Sequence, residues 1–296
     1  MKTTSALDAH ELAQALAKRH HIDPDQVHPL PQGQANHVLA LGEELVLRIP
    51  RSPSHTKDLE KEAELLPLAH TAGLPVPELL HHAPAPVPHL LITRMPGTDM
   101  AERTPTRAFL HQVGRQLHRL HHLPTQHLHT PPLQVEQDDP TTLVQDLHRT
   151  GMLDASTAGW LTDLFHHLAE HVPRTPPEPV LIHGDLSPTN LLATPDGALS
   201  AIVDWGEAAL AEAAVDFAKL PPHWLPEVLA GYPSPPGQEH SLKVRILHHH
   251  LTWALARLTD PAPCPGPRHW SAPPASRLVG LLRLVATHPW PHLLQW

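Results

Sequence analysis

Residues 180–206 read VLIHGDLSPTNLLATPDGALSAIVDWG, and the rest of the chain is read outward from them. The apolar run Val180-Leu181-Ile182 predicts a short buried strand. His183-Gly184-Asp185 follows, and Asn190 lies five residues past the aspartate. Leu191-Leu192 and Ala201-Ile202-Val203 flank a Pro195-Asp196-Gly197 turn, the pattern of a hairpin. The second arm of that hairpin ends at Asp204-Trp205-Gly206.

Phosphoryl transfer from a metal-bound nucleotide requires this set of groups at this spacing. A loop carboxylate orients the acceptor hydroxyl, an amide five residues on takes one metal ion, and a carboxylate at the next strand end takes another. His183-Gly-Asp185-x-x-x-x-Asn190 and Asp204-Trp-Gly206 parallel the kinase patterns H-R-D-x-x-x-x-N and D-F-G. Histidine is too common here, 29 of 296 residues, for a His-x-Asp to carry weight alone. Asparagine is rare: Asn36 and Asn190 are its only occurrences, and one of them falls at the motif position.

The stretch resembles the catalytic loop of the aminoglycoside phosphotransferase and choline kinase family, with its H-G-D-x-x-x-x-N pattern and I-D-W or D-x-G strand end. More loosely, the resemblance runs from Gly33 to about Leu258. It implies an α+β, two-lobe protein-kinase-like fold: a small antiparallel sheet lobe over 1–95 that binds nucleotide, and a mainly helical catalytic and acceptor-binding lobe over 96–296. It also implies roles. Asp185 orients the acceptor hydroxyl and takes its proton, Asn190 and Asp204 hold Mg²⁺, and His183 braces the loop. Asp216 matches the family's second aspartate and supports the loop through hydrogen bonds.

Upstream, residues 6–20 read as an amphipathic helix with Asp8 as a candidate N-cap. Strand-like runs 36–41 and 45–49 flank a Gly42-Glu43-Glu44 turn. Gly33-Gln34-Ala35-Asn36 sits where a kinase-like lobe carries its phosphate-covering loop, where glycine lets backbone N–H groups approach phosphate. In Leu45-Val-Leu-Arg48-Ile-Pro50, an arginine stands where kinases carry the strand lysine. Its fork still suits phosphate, and the run resembles the L-R-I-P-R strand of macrolide and aminoglycoside kinases. Glu62 is its expected partner on a helix from about 56 to 72 that ends at Gly73, with Glu60 and Glu64 as alternatives. Residues 79–82 and 89–95 read as a further hairpin. Residues 93–97, with Arg94 and Met95, fall at the expected nucleotide hinge.

Downstream, helices are expected near 106–122, 141–149, 155–172, 237–258 and 274–287, with a proline- and acid-rich loop over 124–140. No long activation segment follows Asp204, which favours a small-molecule acceptor over a protein. Glu207, Glu212, Glu227, Asp138 and Asp139 are candidates to face a cationic acceptor. A formal net charge of −9 argues against nucleic acid or an anionic membrane as partner. Cys264 is the only cysteine, so no internal disulfide framework exists. No apolar run approaches a membrane span, and the N-terminus lacks a signal-peptide core, so a cytoplasmic protein is expected. Adjacent histidines such as His248-His249-His250 point in different directions, so composition explains them better than metal storage does.

The expected function is transfer of the γ-phosphate of ATP or GTP to a small-molecule hydroxyl, with an aminoglycoside or macrolide antibiotic as the first acceptor class. Choline-like alcohols, homoserine, fructosamines and sugars are the metabolite alternative. A non-catalytic nucleotide-binding module is the competing class.

Overall fold

The computed structural model of the 296-residue chain describes residues 6–30, 35–126, 128, 139–172, 177–234, 237–260 and 274–287. Its strands are β1 (Val27–Pro29), β2 (Asn36–Leu41), β3 (Leu45–Pro50), β4 (Leu79–Ala83), β5 (His89–Thr93), β6 (Thr98–Asp99), β7 (Val180–Ile182), β8 (Leu191–Ala193), β9 (Leu199–Ile202) and β10 (Ala209–Ala211). Its helices are α1 (Ala6–Arg19), α2 (Thr56–Thr71), α3 (Arg107–His121), α4 (Pro140–Arg149), α5 (Ala155–Glu170), α6 (Ala214–Phe217), α7 (Leu225–Ala230), α8 (Glu239–Ala256) and α9 (Pro274–Thr287).

These elements form two compact units. The first holds the described residues up to Asp99, those of 126–130, and Asn190–Ala208. The second holds Met100–Thr125, the described residues of 131–189, and those from Ala209 onward. The single boundary expected at residue 95 is therefore replaced by a discontinuous division. The physical reason is local: β8 pairs with β6, and the Ile202 N–H donates to the Pro75 carbonyl at 2.7 Å. Both tie the 191–202 hairpin to the first unit.

In the first unit, five antiparallel strands lie in the order β1-β2-β3-β5-β4. Gly42, at φ +62°, makes the tight turn between β2 and β3. Helix α1 presents Ala9, Ala13, Leu16 and Ala17 to Leu39, Leu41, Leu47, Ile49 and Leu91 on one sheet face. Asp8 lies in the first turn of α1, not at its cap, and its charge still meets the favourable end of the helix dipole. Strand alternation sends Val38, Arg48 and Leu90, which lie side by side across three strands, to the opposite face. Helix α2 supplies the partner there. Its C-terminus closes as the sequence implies: Gly73 sits at φ +74°, its N–H donates to His70, and Leu74 N–H donates to Ala69, a Schellman closure.

In the second unit, Thr106 caps α3 through the Phe109 N–H, and α3 buries Phe109, Val113, Leu117 and Leu120. Asp139 and Asp154 cap α4 and α5. Strands β7 and β10 pair as a short antiparallel ribbon with Ile182, Ala209 and Val215 in its core. No helix among the described residues is long and apolar enough to cross a membrane.

Helices α3 and α7 approach at two glycines. A Cβ at Gly114 would lie 2.0 Å from the Val228 carbonyl oxygen, and one at Gly231 would lie 2.3 Å from that of His111. Neither backbone atom can rotate away. Gly114→Ala should therefore destabilise the fold by about 1–3 kcal/mol, as overpacking does. The check is a lower urea midpoint at unchanged slope.

Candidate active site

The first unit carries an ion triad centred on a buried arginine. Arg48 is 7% exposed and Glu62 is 1% exposed. One Arg48 terminal nitrogen donates to Glu62 Oε1 at 2.7 Å, and the other to Asp204 Oδ1 at 2.5 Å. Glu62 Oε1 also accepts the Trp205 N–H at 3.4 Å. One carboxylate thus ties strand β3, helix α2 and the residues after β9 together. Glu60 is exposed, so of the helix acids it is Glu62 that meets the arginine. Burial works against the Arg48 charge, but Asp204 and Glu62 more than compensate and raise its pKa further. Burial pushes the Glu62 carboxyl up to about 7, while Arg48 pulls it back.

Asp204 adopts φ +67°, a left-handed conformation that non-glycine residues rarely hold and that concentrates at functional sites. Its side chain is half exposed, at 49%. Asn190 is buried, and its carbonyl accepts the Val203 N–H at 3.0 Å. Asn190 and Asp204 thus offer an amide and a carboxylate in the same unit, the hard oxygen donors that Mg²⁺ takes.

Asn36 opposes Pro50 on the face that carries Arg48. Its side-chain carbonyl and the Arg48 Nε are both buried and without a hydrogen-bond partner among the described residues. Buried polar atoms are seldom left so. Gly33 lies outside the described residues. At the expected hinge, the Thr93 N–H donates to Glu78 and the Arg94 N–H to the Glu44 carbonyl at 2.6 Å. Pro96 has no N–H, and its carbonyl accepts from Ser200. Among the described residues, the Met95 backbone N–H and carbonyl have no hydrogen-bond partner. Arg94, expected at the hinge with it, has its N–H spent and its side chain in solvent.

The second unit carries the loop His183-Gly184-Asp185. Gly184 adopts φ +79°, which a side chain would oppose. Asp216, fully buried, accepts the His183 N–H on one oxygen at 2.9 Å and the Gly184 N–H on the other at 2.8 Å. His183 Nδ1 accepts the Asp185 N–H at 3.3 Å, so this imidazole braces the loop. His121 Nε2 meets Asp216 at 3.1 Å, and His121 Nδ1 meets the Tyr232 hydroxyl at 3.1 Å. Burial disfavours the Asp216 charge, yet the His121 bond and the loop amides leave its pKa below the usual carboxylate range. Sequence reasoning missed His121 and Tyr232. One is a histidine among many, and the other is the chain's single tyrosine, a signal that was available.

The acids expected to face a cation are mostly engaged. Glu212 binds Arg245 at 3.0 Å and also bonds His249. Glu227 binds Arg107 at 2.7 Å and His111 at 2.8 Å. Asp139 caps α4. Glu207 is exposed, and Asp138 lies outside the described residues.

Comparison with known proteins gives a consistent answer. The sequence profile of the phosphotransferase enzyme family matches residues 26–234. An aminoglycoside 3'-phosphotransferase of Streptomyces fradiae is 29% identical over 183 residues, 57% of this chain and 66% of that protein. The match spans just under two thirds of that relative's length. Among solved structures, the GDP complex of wild-type aminoglycoside 2'-phosphotransferase-IIIa superposes with a TM-score of 0.68 at 20% identity, covering 94% of this chain and 98% of that one. A macrolide 2'-phosphotransferase type I gives 0.58 at 20% identity, covering 87% and 92%. At these identities the structural likeness shows a shared fold, the two-lobe kinase-like α+β class.

Removing Arg48 strands a buried carboxylate. Arg48→Met should destabilise the protein by about 3–5 kcal/mol, the cost of breaking a buried pair from one side. The Arg48→Met/Glu62→Leu double variant should recover most of that loss. Urea unfolding of both variants measures the difference.

Proposed function

The chain belongs to the phosphotransferase enzyme family, and we propose that it transfers the γ-phosphoryl group of GTP or ATP to a hydroxyl of a small-molecule acceptor, an aminoglycoside or macrolide antibiotic first among them. The observation that carries this reading is the forked Arg48, held by Glu62 and reaching Asp204. A rigidly placed, permanently charged fork on a strand suits the non-transferred phosphates of a nucleotide. The buried, unpartnered Asn36 carbonyl and Arg48 Nε lie on the same sheet face, next in sequence to the Gly33 loop assigned to cover those phosphates. The Met95 N–H and carbonyl are assigned to the edge of the base.

Asp185 is assigned to the acceptor hydroxyl. As the acceptor oxygen bonds to the γ-phosphorus, the bond from that phosphorus to the bridging oxygen breaks, the diphosphate leaves, and the hydroxyl proton passes to the Asp185 carboxylate. Asn190 and Asp204 are assigned to hold Mg²⁺, which when bound offsets charge on the phosphate oxygens. Arg48 already neutralises Asp204 in the free protein, so it keeps that carboxylate in place between turnovers. Asp216 and His183 fix the backbone from which Asp185 projects.

A second acceptor class is favoured by one specific observation. Glu212 and Glu227 are each spent on an arginine and a histidine of this chain, which leaves them little to offer a polycation. A less cationic alcohol, such as a sugar, is the corresponding metabolite reading.

Asp185→Asn should lower turnover by roughly 10²–10⁴-fold, the usual worth of a general base, with Mg-nucleotide affinity nearly unchanged. Nucleotide consumption and calorimetric titration check the two halves. Unchanged turnover would contradict the assignment. Nucleotide binding in the wild type without turnover on aminoglycosides, macrolides, choline or sugars would favour the non-catalytic module.

A further inference from the structure

We propose that His121 and Tyr232 are positioning residues for Asp185, acting through Asp216 on the backbone of the His183-Gly184-Asp185 loop. The inference rests on the reading of Asp185 as the group that takes the acceptor proton, and it adds two side chains that this reading does not contain.

The chain of contacts is continuous, and its central pair is buried. The Asp216 carboxylate accepts from two consecutive loop amides, His183 and Gly184, immediately before Asp185. An ionised carboxylate only accepts hydrogen bonds, so His121 Nε2 carries the proton in its contact with Asp216. In the neutral imidazole, Nδ1 is then the acceptor, and the Tyr232 hydroxyl donates to it. Tyr232 therefore selects the His121 tautomer that Asp216 needs. The side chains of His121 and Asp216 are 1% and 0% exposed, so water does not substitute for either bond.

The fold places this outer layer with little freedom. His121 ends α3, and Tyr232 follows the Gly231 that meets His111 of α3 without room for a Cβ. The glycine contact therefore fixes the distance from Tyr232 to His121. Phe217 and His118 hold the Tyr232 ring edge-on at 5.1 and 5.4 Å. Losing the His121 donor frees an Asp216 lone pair and lets the two amides, and Asp185 after them, move. Phosphoryl transfer depends on alignment, and a misplacement of about 1 Å costs on the order of a hundredfold. Nucleotide binding is assigned to Arg48, Glu62, Asn190 and Asp204, so it should be spared.

The test compares His121→Leu, His121→Gln and Tyr232→Phe in the full chain with Mg-GTP and kanamycin, or with water as acceptor where kanamycin is not turned over. His121→Leu should lower kcat by roughly a hundredfold at unchanged KM for GTP. His121→Gln, which returns an N–H near the Nε2 position, should recover most of that loss, and Tyr232→Phe should fall between. Amide hydrogen exchange at His183 and Gly184 should quicken in the same order. Tyr232→Phe removes one oxygen only and carries the test if His121→Leu does not fold. Three results would overturn the proposal: kcat and exchange unchanged in Tyr232→Phe and His121→Leu, a KM for GTP that rises in step with the loss of kcat, or a glutamine variant no better than leucine. Asp185→Asn separates the two layers. If it equals the wild type, the reading of Asp185 fails; if it is inactive while His121→Leu is fully active, only the positioning claim fails.

Discussion

The first unit depends on one buried cation. Arg48 sits on the sheet face opposite α1, and two carboxylates from distant parts of the sequence converge on it. Burying a guanidinium is costly unless its hydrogen bonds are met. Here Glu62 and Asp204 meet the two terminal nitrogens, and Glu62 extends the link to the Trp205 backbone. A lysine offers a point charge; the arginine fork spans both partners at once. The departure from the commoner kinase lysine thus has a structural consequence, because the strand charge binds the strand-end aspartate directly. Asp204, held in a left-handed conformation, is the residue on which that constraint is spent.

The second unit solves the same problem with the opposite sign. Asp216 is a carboxylate with no exposure to solvent, stabilised by two loop amides and a histidine in place of a cation. Its charge is distributed over backbone donors of the His183-Gly184-Asp185 loop, so satisfying Asp216 and shaping that loop are one event. The glycine at 184 is required for it, since two consecutive N–H groups converge on one carboxylate only with the backbone at positive φ there.

Much of this was legible in the sequence. The 191–202 hairpin, the α2 C-terminus at Gly73, the β2–β3 turn at Gly42 and the helix from Thr106 follow from turn and capping chemistry, which acts over a few residues. The pairing of Arg48 with Glu62 and the bonds from Asp216 to the two amides before Asp185 follow the motif spacing. What was not legible depends on contacts between residues far apart in sequence. The assignment of 190–208 to the first unit rests on pairing with Thr98–Asp99 and on a bond to Pro75. The spent Arg94 N–H rests on Glu44, and the spent charges of Glu212 and Glu227 rest on helices whose facing positions no local pattern reveals. His121 was hidden by the histidine-rich composition.

The central claim is that these two sets of residues serve one reaction, in which a nucleotide's terminal phosphoryl group moves to an acceptor oxygen. Phosphorus NMR of the protein with Mg²⁺, GTP or ATP and a hydroxyl acceptor follows that group directly. The account predicts that the γ-phosphoryl resonance gives way to a phosphate monoester coupled to the acceptor's own protons, with the nucleoside diphosphate formed in equal amount. A spectrum across the acceptor panel in which the nucleotide stays intact, or yields only inorganic phosphate, would contradict it.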